Sequence, residues 1–93
     1  MKQVYILPSF ERSIKKLDPR QKRLVAKSLD DLNEFVLTGE VPFGFRFKKI
    51  NHDKYEFRVD IRLRIVVKAE GDIFHLVLAG SHDDVRRYLR KYR

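Results

Sequence analysis

Two neighbouring stretches of the chain alternate between apolar and polar residues. Apolar residues take every second position in 55–60 (YEFRVD), and the same period runs through most of 62–68 (RLRIVVK). Because successive side chains of a strand point to opposite faces, this period predicts two strands that pair as a hairpin. With the apolar set turned inward, Arg58 and Arg64 emerge together on the other face, with Glu56 among basic groups. That face is a candidate anion site.

The N-terminal third of the pattern predicts one strand and two helices. Residues 3–7 (QVYIL) favour a strand, which the following proline stops. Ser9 then lies at the N-cap position of a short amphipathic helix over 10–17 (FERSIKKL), whose apolar residues recur at helical spacing. The next Asp-Pro pair caps and starts a second helix, whose apolar stripe continues to about Leu37.

The C-terminal part of the pattern alternates strands with turns. Residues 38–44 read as a loop, and 45–50 (FRFKKI) as a strand with alternating apolar positions. A turn at 51–53 leads into the hairpin, and a turn at 70–72 follows it. The almost continuous apolar run 73–79 is typical of a strand buried on both faces in the middle of a sheet.

The last segment predicts a strand-to-helix turn. Ser81 followed three positions later by Asp84 resembles a capping box, and the acids complement the helix dipole. The apolar stripe of this final helix is formed by Val85, Leu89 and the tyrosines Tyr88 and Tyr92.

These elements predict one α+β domain over residues 1–93, in the order βααββββα. We expect a small, mainly antiparallel sheet of four to five strands, with the N-terminal helical hairpin on one face and a short C-terminal helix. A chain of 93 residues has room for one thin core.

Composition narrows the classes of function. The chain has no cysteine, which excludes disulfides, thiolate metal sites and a thiol nucleophile. No apolar run approaches the length of a membrane span or a signal-peptide core, so we expect a cytoplasmic protein without a membrane partner.

The net charge of +8 indicates a polyanionic partner, because excess lysine and arginine attract nucleic acids. The excess is uneven: residues 1–45 hold 8 basic and 6 acidic side chains, whereas 46–68 hold 8 against 3. Residues 82–93 add 5 basic and 2 acidic side chains. The alternative is a basic surface that serves only solubility, but the clustering favours binding.

No metal, nucleotide or small-molecule cofactor is expected from the motifs. The chain lacks a glycine-rich phosphate loop, a metal-ligand spacing and a nucleophile elbow. Of the three histidines, His52 reads as a turn residue and His75 as a hydrogen-bonded residue of a central strand. His82, in the first turn of the last helix, is either a solvent-exposed helix-start residue or a catalytic one.

The arginine face is suited to metal-free cleavage of RNA. That reaction needs activation of a 2′-hydroxyl, stabilisation of charge on the phosphorane and protonation of the 5′-oxygen. The planar donors of arginine match phosphate oxygens, and Glu56 or His82 are candidates for the proton transfers. The alternative is a solvated basic strand pair without catalysis.

In order and spacing, the segments FERSIKKLDP, FRFKKI, KYEFRVD, LRIVVK and LAGSHDDVRRYL resemble the RelE/ParE superfamily of toxin–antitoxin toxins. The resemblance covers nearly the whole chain and implies a small twisted antiparallel sheet flanked by helices. It implies a ribosome-dependent mRNA endonuclease that needs no metal, forms a 2′,3′-cyclic phosphate, inhibits translation and is silenced by a cognate antitoxin. The alternatives are a ParE-like toxin that inhibits DNA gyrase by binding protein, and an inactive basic binding module.

The resemblance also implies roles for single residues. Arg64 matches the arginine that opens the RIVV strand and would stabilise the phosphate, assisted by Arg58 and by His82 as catalytic residues. Tyr88 is a candidate for base stacking or proton transfer, and Glu56 stands where some members have lysine. The residues expected to bind RNA are Arg46, Lys48, Lys49, Arg62 and Arg86.

Overall fold

One five-stranded sheet carries the other elements of the fold. The computed structural model describes residues 3–91. Its elements are β1 (Gln3–Ile6), α1 (Pro8–Lys15), α2 (Pro19–Thr38), β2 (Lys48–Lys49), β3 (Lys54–Arg58), β4 (Arg64–Glu70), β5 (Ile73–Gly80) and α3 (His82–Lys91). The strand order is β1-β5-β4-β3-β2; β1 pairs parallel with β5 and the other pairs are antiparallel. The predicted α+β class and mainly antiparallel sheet are confirmed.

The main core lies between α1, α2 and one face of the sheet. Phe57 and Ile65 are fully buried there, and Leu32 reaches them from α2. The other buried members are Phe10, Val25, Phe45, Leu63, Val67, Phe74, Leu76 and Ala79. The period of two in the hairpin therefore placed its apolar set correctly, and the helical hairpin covers that side.

The opposite face of the sheet is covered in part by α3. Val85 of α3 packs on Val66 and Val77, and the half-buried Tyr88 and Leu89 extend this smaller cluster. The predicted stripe on the last helix is confirmed for these residues. Its fourth proposed member, Tyr92, lies outside the described residues.

The start of α1 differs from the prediction. The helix begins at Pro8 with Leu7 as its N-cap residue, so the N-cap assigned to Ser9 is wrong. The Ser9 hydroxyl instead donates to the carbonyl of Val77 at 2.6 Å. Proline has no backbone N–H to satisfy and fits the first turn of a helix, so α1 begins earlier in the chain than predicted. The preceding strand ends at Ile6, one residue earlier than expected.

The predicted strand over 45–50 is also shorter than expected, because only Lys48–Lys49 pair with β3. The backbone leaves the extended region at Gly44 (φ 79) and at Arg46 (φ 52). Phe45 and Phe47 still point inward, as the alternation predicted, and stack with ring centroids 6.0 Å apart.

The α2 boundaries agree with the sequence to within one residue. Asp18 and Gln21 form a capping box, with the Gln21 N–H donating to the Asp18 carboxylate at 2.7 Å. The helix extends one residue beyond the predicted end, and Gly39 closes it in the left-handed conformation (φ 77) that glycine adopts without strain.

Two serines of α1 complete the hydrogen bonding of β5 beyond the end of β1. While Ser9 donates to Val77, the backbone N–H of Ala79 donates to the Ser13 hydroxyl at 2.9 Å. That hydroxyl in turn donates to the carbonyl of Phe10 at 2.7 Å. The two serine side chains thereby supply hydrogen-bond partners for the backbone of β5 where β1 no longer pairs with it.

We expect Ser13→Ala to lower the free energy of unfolding by about 1–3 kcal/mol, because the N–H of Ala79 then loses its acceptor in a partly buried place. Ser9→Ala removes only a donor to a carbonyl and should cost less, about 0.5–1.5 kcal/mol. Urea denaturation of both variants measures the difference. An unchanged stability of Ser13→Ala would contradict this account of the β5 edge.

Within residues 3–91, no helix is long and apolar enough to cross a membrane.

Candidate anion-binding site

The β3–β4 hairpin places two arginines side by side. Arg58 and Arg64 are direct partners across the strands, and like charges in such a pair repel. The connecting loop is held by Asp60, whose carboxylate accepts from the N–H groups of Arg62 at 2.8 Å and Leu63 at 2.7 Å. This turn fixes the end of the hairpin and so keeps the backbones of Arg58 and Arg64 paired despite the like charges.

A third arginine is brought to the hairpin by a strained backbone. The N–H of Arg58 donates to the carbonyl of Phe45 at 3.0 Å, which ties the segment before β2 to the end of β3. The next residue, Arg46, has a φ of 52° and is the one described non-glycine residue in the left-handed region. Such strain persists where the surroundings impose it, often at functional sites.

The three arginines share one pocket of about 170 Å³. Its lining residues are Arg46, Phe47, Lys48, Glu56, Arg58 and Arg64. Four cationic side chains face one carboxylate, a net charge of +3 at the lining. Such a surplus in a small cleft attracts an anion, and several fixed arginines suit phosphate oxygens.

Glu56 is the carboxylate of this pocket, and it is buried. Its Oε2 accepts from Nη1 of Arg64 at 2.9 Å, and the side chains are 8% and 15% exposed. The position follows from alternation: Glu56 lies opposite Val66 in β4 and opposite Lys48 in β2. The expected place of Glu56 among basic groups is confirmed.

Two donors of the pocket have no partner within the described residues. The Nε atoms of Arg58 and Arg64 are buried and make no hydrogen bond to any described residue. A buried donor without an acceptor costs free energy that a bound ligand recovers. These atoms are therefore candidate contacts for an anion.

The other residues expected to bind RNA lie outside the pocket lining. Lys49 is exposed in β2, and Arg86 is exposed on α3. Arg62 is exposed in the hairpin loop and lines a second, wider cleft with Ser81 and Asp84.

His82 and Tyr88 do not line the arginine pocket either. His82 is exposed as the first residue of α3. It follows by two positions Gly80, which is the partner of Arg64 across β4 and β5. Tyr88 is half-buried beside Val77 and Lys68 in a separate cleft.

The start of α3 is held by the capping pair that the sequence predicted. The Ser81 N–H donates to the Asp84 carboxylate at 2.9 Å, and the Asp84 N–H donates to the Ser81 hydroxyl at 3.1 Å. These bonds from Ser81, followed by the charge of Arg87, hold the pKa of Asp84 below its usual value. A Cβ at Gly80 would come within 2.8 Å of Asp84, so the absent side chain permits this tight turn.

Of the remaining histidines, His52 has the turn position that the sequence predicted, whereas the hydrogen bond expected for His75 stays a prediction. His52 is exposed in the turn before β3. His75 lies in the central strand β5, with its ring edge-on to Tyr5 at 6.0 Å and 3.9 Å from a carboxylate oxygen of Glu70. Within residues 3–91, no group of three histidine, aspartate or glutamate side chains has an arrangement that could hold a metal ion.

No protein-family model matches the chain, and no curated protein is significantly similar to it in sequence. Several solved structures are similar to this chain in fold. YafQ from E. coli strain BL21(DE3) superposes with a TM-score of 0.67 at 11% identity, over 91% of this chain and 98% of YafQ. A chain of the RelB–RelE antitoxin–toxin complex from Methanococcus jannaschii superposes with a TM-score of 0.67 at 15% identity, over 90% of this chain and 96% of that one. The fold is that of the RelE-like toxins.

A metal-bound toxin from Helicobacter pylori has a similar fold, with a TM-score of 0.68 at 17% identity over 91% of this chain and 99% of that one. The superpositions cover 90–91% of this chain, so the overall fold is shared. The arginine pocket lies on the sheet face of that architecture which α3 covers in part.

Proposed function

We propose that this protein is the toxin of a toxin–antitoxin pair and that it cleaves mRNA on the ribosome. The observation that carries the proposal is the pocket of four cationic side chains, in which two guanidinium Nε atoms have no partner in the described part of the chain. Its position in a RelE-like fold supports this assignment over a general basic surface. Residues 1–93 would then act as one toxin domain.

In the proposed reaction, a phosphodiester of the mRNA lies in the arginine pocket. The 2′-oxygen attacks phosphorus, the bond from phosphorus to the 5′-oxygen breaks, and a 2′,3′-cyclic phosphate and a 5′-hydroxyl result. Arg64 and Arg58 stabilise the additional negative charge of the phosphorane, which is where fixed donors contribute most. No metal or other cofactor takes part in these steps.

Two protons move in this reaction. Glu56, the carboxylate within the pocket, is assigned as acceptor of the 2′-hydroxyl proton. His82 is assigned as donor to the 5′-oxygen, because its helix starts two residues after the partner of Arg64. Base stacking by Tyr88 stays a prediction.

The exposed cations around the pocket would hold the RNA backbone. Lys49, Arg62 and Arg86 are exposed, and Arg46 and Lys48 extend from the pocket wall. Contacts of this kind position the strand without reading its sequence, and added salt weakens them.

The test is to add the purified protein to a translating cell-free system and to map mRNA 5′ ends by primer extension. Cuts at the ribosomal A site that require translation support the proposal. Intact mRNA together with inhibited DNA supercoiling would support the ParE-like alternative. If the protein neither cuts mRNA nor inhibits supercoiling, the alternative of an inactive basic binding module is favoured.

The proposed antitoxin partner also has support from the comparisons. Two of the similar structures are complexes, DinJ–YafQ from E. coli and RelB–RelE from M. jannaschii. A basic, partly open sheet face beside a short helix suits an acidic segment that folds on binding.

We expect a small acidic protein encoded beside this gene to bind the toxin and to restore growth of cells that express it. Mixing the two purified proteins and measuring affinity by calorimetry checks the binding, and a coexpression growth assay checks the relief. If no neighbouring gene product binds or relieves toxicity, the antitoxin part of the proposal is wrong.

A further inference from the structure

The buried carboxylate of Glu56 is unusual in a pocket that is otherwise built for an anion. Its Oε2 pairs with Arg64 at 2.9 Å, and only 8% of its side chain is exposed. Every other charged residue of the lining is a cation. An anion that enters the pocket therefore meets one fixed negative charge at short range.

Stability alone does not explain this carboxylate. Burying an ion pair costs desolvation that the attraction barely offsets, and well-packed apolar replacements are often equally stable. Val66, the partner of Glu56 across β4, is fully buried and apolar, so an apolar residue would suit this side of the pocket. The charge itself has a consequence for binding.

We infer that Glu56 weakens the binding of doubly charged phosphomonoesters more than that of singly charged phosphodiesters, and so shifts the balance of the net cationic pocket toward diesters. The inference deepens the proposed function, on which it rests, by defining the class of phosphate that the site accepts. Glu56 repels a dianion about twice as strongly as a monoanion, whereas its bond to Arg64 keeps the guanidinium in place for either. Glu56 is in this respect a specificity-determining residue.

This preference has a consequence for the substrate. Internal phosphates of an RNA chain are diesters and carry one charge each, whereas a phosphate at a chain end is a monoester with a second pKa near 6 and is a dianion above that pH. The charge of Glu56 therefore shifts the site toward internal bonds and away from chain ends. It also releases a 3′-phosphate formed when the cyclic product is hydrolysed.

The test compares two nucleotides that differ by one methyl group. Adenosine 5′-phosphate and its phosphate methyl ester are titrated into the protein at pH 8 and low salt by calorimetry, and the ratio of the two dissociation constants is measured. Glu56→Gln keeps an acceptor for Arg64 and removes the charge. Glu40→Gln removes the same charge from an exposed loop residue and serves as the matched control.

We expect Glu56→Gln to bind both nucleotides more tightly, with the gain for the monoester larger by about tenfold, as one added repulsion at short range implies. Glu40→Gln should leave the ratio as in the wild type. If Glu56→Gln does not fold, the near-isosteric Glu56→Met makes the same comparison.

Two negative outcomes are distinguishable. If both nucleotides bind but their ratio is the same in wild type and Glu56 variants, the inference is overturned and the proposed function stands. If neither nucleotide binds to the wild type or to the variants, the phosphate pocket itself is wrong, and the inference is overturned together with the proposed function.

Discussion

Arg64→Ala should reduce ribosome-dependent mRNA cleavage by about 10²–10³-fold, the usual loss when one fixed donor to a developing oxyanion is removed. Arg64 is the arginine whose Nη1 is fixed by Glu56 while its buried Nε has no hydrogen-bond partner among residues 3–91. Its position is thus set before substrate arrives. Primer extension on mRNA from a translating system, read at several times, gives the rate.

Loss of folding has to be separated from loss of chemistry in this variant. Arg64→Ala leaves the Glu56 carboxylate buried without its partner, which typically costs about 3–5 kcal/mol. The double variant Arg64→Ala/Glu56→Leu removes both charges and should recover most of that stability without recovering cleavage. Urea denaturation of the single and double variants measures the recovery.

Two further substitutions sharpen the result. Arg64→Lys keeps the charge but not the planar donors, so we expect intermediate activity. Arg23→Ala removes an exposed arginine of α2, and should cleave like the wild type. Full activity in a folded Arg64→Ala protein would contradict the assignment of Arg64.

The arginine pocket shows how far local pattern determines a site. The period of two in 55–60 sufficed to place Arg58 and Glu56 on one face, because only one register buries Phe57. The pairing of Glu56 with Arg64 follows once the two strands are aligned. Those relations are local and were therefore predictable.

Other parts of the site depend on tertiary contacts that no local pattern encodes. Arg46 reaches the pocket through a left-handed backbone that the Phe45–Arg58 hydrogen bond supports, and non-glycine residues rarely adopt it. Phe47 was predicted only as an apolar position of the strand over 45–50, and it also lines the pocket. The role of Ser13 in completing β5 likewise has no signal in the sequence.

The helix start at 81–84 is an intermediate case. The spacing of Ser81 and Asp84 identifies the cap, because both bonds are local. The direction of the His82 side chain depends on how α3 packs on the sheet. The apolar stripe with Val85 and Leu89 predicts which face of the helix packs there, but not the exact orientation of the helix. The sequence therefore located the helix but not the side chain of His82, which lies outside the lining of the arginine pocket.

Phe57→Ala should lower the free energy of unfolding by about 3–5 kcal/mol, enough to unfold a large fraction of a domain of this size. Phe57 is fully buried and stacks on Phe45 with ring centroids 4.5 Å apart. It lies between Glu56 and Arg58 in β3, so its packing also holds the backbone from which both pocket residues project. Urea denaturation followed by circular dichroism measures the loss.

Phe43→Ala is the matched control, because it makes the same chemical change at a fully exposed phenylalanine of the loop before β2. Removing an exposed ring changes stability by no more than about 0.5 kcal/mol. Equal stabilities of the two variants would contradict the assignment of the core to this face of the sheet. A large loss confined to Phe57→Ala, with anion binding lost in parallel, would show that the core face supports the geometry of the arginine pocket on the other face.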